Sequence, residues 1–169
     1  MPHRLAMSAV AAVALCGLAA TRAAELSAEC KPVFAAVEKS LQIDHTTVST
    51  RGADTLHGVT VGGAMWLQVG GGSWRKSSMT VQDNLAQSRE NLKNAKEYTC
   101  KSAPDSVVDG IPVTNWATRT VNDDTTIETR IAIAKGSGLV VSVENRRSGE
   151  GSTSNVVSKY GYGNVKAPI

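Results

Sequence analysis

Two periods of hydrophobic placement alternate along this chain and divide it into helix and strand. Over residues 27–42, Cys30, Val33, Phe34, Val37 and Leu41 recur at spacings of three and four, the single apolar stripe of a helix. Ser27 can cap its start, and Pro32 falls within the first turns, where a missing N–H is harmless. From His45 the period falls to two. Residues 45–51 read as a Thr-rich strand, and His57, Val59 and Val61 alternate with polar or small residues before a Gly62-Gly63 turn. Met65, Leu67 and Val69 alternate up to Gly70-Gly71-Gly72, and residues 73–77 form a short strand carrying Trp74. Short strands joined by glycine turns make a meander.

The helical period returns over residues 80–96. Thr80 with Asp83 three residues on approximates a capping box. Val81, Leu85, Leu92 and Ala95 mark the buried face, while Arg89, Glu90, Lys93 and Lys96 face water. The helix is expected to end near Tyr98-Thr99-Cys100, already extended, and the second half to be almost entirely strand. A turn at Asp109-Gly110 leads into residues 111–120 through Trp116, and Asn122-Asp123-Asp124 turns the chain again. Ile127, Thr129, Ile131 and Ile133 give the cleanest alternation, reversed at Gly136-Ser137-Gly138 into Leu139, Val141 and Val143. After Gly149-Glu150-Gly151, residues 156–165 close the sheet through Tyr160 and Tyr162. One-sided alternation of this kind means an antiparallel sheet with one covered face. The expected class is α+β, with about seven or eight strands and two helices in one domain.

The N-terminus carries a different pattern. A basic start ending at Arg4, an uncharged run over residues 5–20 and the small-x-small exit Thr21-Arg22-Ala23 are the three parts of a cleavable signal peptide. The run is Ala-rich and shorter than the roughly 20 apolar residues of a spanning helix, so no transmembrane anchor is expected after cleavage. Cys16 follows Leu15 rather than a small residue, which argues against lipidation. Residues 24–169 remain as a single exported domain, expected in the periplasm or secreted. Arg4 and Arg22 leave with the signal, so eighteen basic against fifteen acidic residues becomes sixteen against fifteen. The pI of about 8.8 therefore overstates the basicity of the exported form. No Lys/Arg cluster points to nucleic acid or an anionic membrane surface.

Cys30 and Cys100 are the two cysteines left, and an oxidising compartment pairs two such thiols most simply as one disulfide. A catalytic thiol is the sharper reading, but neither cysteine has a nearby His in sequence and there is no Cys-x-x-Cys. His45 and His57 lie on separate strands and read as surface or strand-edge residues; a metal would need a third ligand such as Asp44 or Asp54. There is no Gly-x-Ser-x-Gly elbow, and the triple glycine lacks the Lys-Ser/Thr of a phosphate loop. No cofactor and no catalytic residue is indicated, and the chain does not read as an enzyme. Trp66 is out of phase with Met65, Leu67 and Val69 and so belongs to the opposite sheet face. Bulky aromatics on both faces imply that each meets apolar material, either more of the protein or a ligand. Phe34, Trp66, Trp74, Trp116 and Tyr160 are the candidate residues for an apolar ligand or interface.

Three stretches carry a family likeness. Val108-Asp109-Gly110-Ile111-Pro112-Val113, Ile133-Ala134-Lys135-Gly136-Ser137-Gly138-Leu139 and the segment from Tyr160 through Gly161-Tyr162-Gly163 to Pro168 resemble the strand entry, penultimate hairpin and closing strand of the LolA/LppX-like superfamily. These are periplasmic carriers of lipoproteins and lipids. The last two stretches also resemble a branch of secreted bacterial proteins with the same two-cysteine layout. The resemblance implies a half-barrel: a curved antiparallel sheet with an N-terminal helix and one inserted helix packed on its concave face. It implies a binding protein for an apolar small molecule or lipid. The chain departs from the carriers in being poor in Phe, Leu and Met, with Phe34 its one phenylalanine. The alternative is a secreted protein–protein interaction module, such as an inhibitor, an immunity protein or an envelope-assembly accessory that binds an envelope protein.

Overall fold

The structure, a computed structural model, describes residues 27–149 and 152–168. The expected signal peptide, residues 1–23, lies outside the described residues, as do Glu150 and Gly151 of the last expected turn. Two helices and nine strands follow in the order α1 (Lys31–Gln42), β1 (His45–Arg51), β2 (Asp54–Val61), β3 (Ala64–Val69), β4 (Arg75–Lys76), α2 (Val81–Lys93), β5 (Glu97–Val108), β6 (Ile111–Val121), β7 (Thr125–Ala134), β8 (Val140–Gly149) and β9 (Ser152–Tyr162). The strands form one open antiparallel sheet in the order β4-β3-β2-β1-β9-β8-β7-β6-β5. The class is α+β as expected, but the count is nine rather than seven or eight.

The additional strand is β5. Its residues lack a clean apolar alternation, it contains Pro104, and its pairing with β6 slips between Ala103 and Ser106. Proline removes a ladder donor and is confined to edges and bulges, and β5 is the sheet edge. At the other edge the strand expected over residues 73–77 shrinks to Arg75–Lys76, leaving Trp74 outside it. Helix α1 likewise starts later than expected. Cys30, not Ser27, is its N-cap; the Ser27 carbonyl instead accepts from the Cys30 N–H in a preceding turn (2.9 Å).

Helix α1 lies on the side of the sheet that carries Trp116, Ile131 and Val143, which face one another across β6, β7 and β8. Val33 is buried there with Ile131 and Val140, joined by Val37, Ile133 and Tyr160. Ser40 locks the far end: its hydroxyl donates to Ala36 O (2.7 Å) and accepts the Val140 N–H (2.8 Å). Cys30 is disulfide-bonded to Cys100 of β5, both fully buried, so the start of α1 is tied to the sheet edge. Helix α2 opens with the expected capping box, Thr80 and Asp83 each accepting from the other's backbone N–H. It is held by the Val81 N–H on Gly63 O, by buried Leu85 and by an Arg89–Glu38 ion pair to α1.

The alternation expected through Leu139, Val141 and Val143 does not hold. Val140 pairs with Ile133 and Ser142 with Ala132, so Val141 is the extra residue of a bulge. A bulge moves the residues on its two sides out of phase. Val140 therefore joins Val143 under α1, and Val141 packs on the other side with Val113, Ala132, Ala134 and Val108. That second cluster is capped by the β5–β6 hairpin tip. Asp109 at the tip (φ 49°) pairs with Lys159 of β9 at 2.8 Å, although β7 and β8 lie between. No helix among the described residues is long and apolar enough to cross a membrane.

Candidate functional site

Between the two helices and β5–β8 lies a groove of about 840 Å³, within the roughly 300–1,000 Å³ of small-molecule sites. Its lining follows from strand register. The row Trp116–Ile131–Val143 is the apolar row beneath α1. Two residues along on the same side comes Thr118–Thr129–Asn145, and two further on Thr120–Ile127–Arg147. At about 3.4 Å per residue the three rows span about 14 Å. The first row is aromatic and aliphatic and the second hydroxyl and amide, while the third sets Ile127 between the Thr120 hydroxyl and the Arg147 guanidinium. The Asn122–Asp124 turn forms the polar rim, where Asp123 is ion-paired with Lys96. That pairing holds the Lys96 ammonium above its usual range. Thr129 donates to Asn145 Oδ1 at 2.8 Å, which orients the middle row.

The helices supply the opposite wall. Val33, Phe34, Val37 and Leu41, the expected stripe of α1, line the apolar end. Asn84, Ser88 and Asn91 of α2, spaced by four and three, share one helix face and line the groove as a polar stripe. The sequence signal for this stripe is that same spacing, adjacent to the apolar one.

A smaller pocket of about 160 Å³ adjoins the groove over β1–β3. Leu41, His45, Leu56, Met65 and Leu67 line it, and Leu41, Asn84 and Tyr160 line both spaces. His45 is not a surface or edge residue. β1 is interior, between β2 and β9, and His45 is 3% exposed, its ring packed beside Tyr160 and Tyr162. Its Nδ1–H donates to Ile43 O at 2.7 Å. Among the described residues no cluster of His, Cys, Asp or Glu is arranged to hold a metal.

The three tyrosines on this side differ. Burial raises the pKa of each. Thr118 beside Tyr98 partly offsets the effect, and Tyr162 donates to Val140 O at 2.6 Å. Tyr160 has no hydrogen bond among the described residues, and burial, with Tyr162 adding to it, pushes its hydroxyl up to about 12.

Of the candidate aromatics, Phe34 and Tyr160 line the groove. Trp116 packs into the cluster beneath α1, and a shallower hollow of about 390 Å³ between α1 and Lys135 runs over it. Trp66 pairs across from Val59 on β2 and lies under the Lys76 ammonium, 5.7 Å from the ring centre. Trp74 is not among the residues lining either space. Comparison of the chain with known protein families, with curated proteins and with solved structures returned no match to any of them.

Proposed function

We propose that the protein is an exported, periplasmic binding protein for an amphipathic small molecule, built as a LolA-like half-barrel whose concave face is the groove side. One observation carries the reading: an apolar end at Val33, Phe34, Ile131 and Val143 gives way to the hydroxyl and amide row Thr118–Thr129–Asn145 along a single groove of about 840 Å³. A site for a purely apolar chain would keep its polar groups off the walls. Here hydroxyls and amides stand on the same walls as Val33, Phe34 and Ile131, so a ligand with an apolar end and a polar end satisfies both. The disulfide between Cys30 and Cys100 supports an oxidising destination, in keeping with the signal-like residues 1–23.

Native mass spectrometry of the protein recovered from the cell envelope tests this. The wild type is expected to carry a bound amphiphile. Val143→Trp, which fills the apolar row, is expected to lose it while the fold and disulfide persist. Bare wild-type protein that also fails to enhance the fluorescence of 1-anilinonaphthalene-8-sulfonate would refute the proposal.

A further inference from the structure

The 160 Å³ pocket and the tyrosine at its mouth narrow the ligand class. A cavity of about 150 Å³ lined by aliphatic side chains holds benzene, so this one takes a phenyl ring or about six carbons. Leu56, Met65, Trp66 and Leu67 supply apolar walls beside the hydroxyls of Thr47, Ser49 and Thr60, and Gly58 leaves the floor bare. A Cβ there would sit 3.5 Å from Thr47 and 3.8 Å from Leu67, in ordinary contact, so a larger side chain would occupy the space itself. A glycine within a strand marks a place where something else approaches the backbone.

Tyr160 and Asn84 stand where pocket and groove meet. Neither side chain makes a hydrogen bond among the described residues, and no fully enclosed side-chain nitrogen or oxygen there is without a partner. Their polar atoms are therefore open to the space they line. A phenol O–H and a carboxamide N–H₂ both donate, so the junction offers two donors to one acceptor.

We infer that the ligand is a compact amphiphile. A phenyl-sized or six-carbon end fills the small pocket, a carbonyl-type oxygen directly beside it accepts from Tyr160 and Asn84, and a polar remainder runs along Thr118, Thr129 and Asn145. The inference rests on the groove being a binding site, and it differs from a long-chain lipid reading in where the apolar end stops.

Calorimetric titration with N-benzoylglycine, N-dodecanoylglycine and hexylammonium chloride tests it, with thermal unfolding as the fold control for each variant. The wild type is expected to bind N-benzoylglycine at least as tightly as the dodecanoyl compound and to bind hexylammonium, which has no acceptor, at least tenfold more weakly. Tyr160→Phe removes one oxygen and is expected to weaken N-benzoylglycine about tenfold. Gly58→Leu, or Gly58→Ala should the larger residue fail to fold, is expected to weaken it further. Affinity unchanged within about twofold in both Tyr160→Phe and the Gly58 variant, with Val143→Trp still abolishing binding, overturns this inference and leaves the groove reading standing. Dodecanoyl binding far tighter than benzoyl overturns it too. If no probe binds the wild type, this inference falls, and the groove reading is decided separately by native mass spectrometry and dye fluorescence.

Discussion

Strands β6, β7 and β8 present two different surfaces from alternate residues of the same peptide. On the helix side stand Trp116, Thr118, Thr129, Ile131, Val143 and Asn145, with Arg147 bringing a charge only at the polar end of the groove. On the other side the same strands present Arg119, Glu128, Arg130, Glu144 and Arg146 around a second hollow, about 430 Å³ in volume. The charged side is the solvated face of a half-covered antiparallel sheet, and its ion pairs compete with water. The helix side holds hydroxyls and amides buried or half-buried between the sheet and two helices. A polar group on the first side is ordinary; on the second it needs a reason. That contrast is why the threonines, and not the arginines, mark the site.

Cutting the tie between α1 and the sheet edge is the largest available perturbation. Replacing Cys30 and Cys100 with Ala opens a crosslink across 70 residues and is expected to cost about 4 kcal/mol, read as a fall in the denaturant midpoint. Hydrogen exchange in the variant should show α1 losing protection before β7, since only the helix side depends on the bridge. Uniform loss would mean that the two surfaces are not separable. Next comes Ile131→Ala, which empties the centre of the apolar row and is expected to cost about 2–4 kcal/mol. It should also enlarge the groove and weaken any probe that reaches it.

The alternation that divides the two surfaces was legible in the chain wherever it was regular. Ile127 to Ile133 announced β7, Thr80 with Asp83 announced the start of α2, and two cysteines in a chain with a signal-like start announced the disulfide. Beta5 was not announced, because an edge strand needs neither alternation nor a full set of N–H donors, and Pro104 reads as a break. The switch at Val140 was hidden for a related reason. Three valine-like residues in a row fit either face, and only the pairing with Ala132 and Ile133 decides which one bulges. Phe34 and Tyr160, two of the candidate aromatics, line the proposed groove, but its middle row went unread. Thr118, Thr129 and Asn145 carry the same parity as Trp116, Ile131 and Val143, but residue type alone marks threonine as a strand former rather than as a groove wall.

The buried tyrosine gives a third, smaller test of the same contrast. Tyr160 holds its proton up to about 12 in the folded chain against an ordinary value of 10.0. Below pH 10 both states are protonated and nothing is lost. Between about pH 10 and 12 the unfolded chain releases the proton first, so stability falls as pH rises, by at most roughly 2–3 kcal/mol. Tyr98 and Tyr162 shift in the same direction and add to the slope. Urea titrations at steps across that window should show a shallower decline for Tyr160→Phe than for wild type. Equal slopes would mean that the ring is solvated, and with it the mouth of the small pocket.

The smallest effect belongs to the charged surface, and its smallness is the point. Arg130 and Glu144 approach to 3.9 Å with side chains 83% and 39% exposed, and Asn155 also donates to Glu144 at 3.2 Å. Exposed pairs of this kind contribute up to about 0.5 kcal/mol and are screened by salt. Glu144→Gln keeps the shape and an acceptor for Asn155, so it is expected to move the urea midpoint by less than about 0.5 kcal/mol in free-energy terms, and less still at 0.5 M salt. It should leave binding of N-benzoylglycine unchanged, because its side chain stands on the opposite side from Asn145, its neighbour in sequence. Asn145→Asp makes the complementary change one residue away, placing a carboxylate in the row with Thr129. If Glu144→Gln altered binding as much as Asn145→Asp, the ligand would lie on the charged surface, and the groove would be only the space beneath two helices.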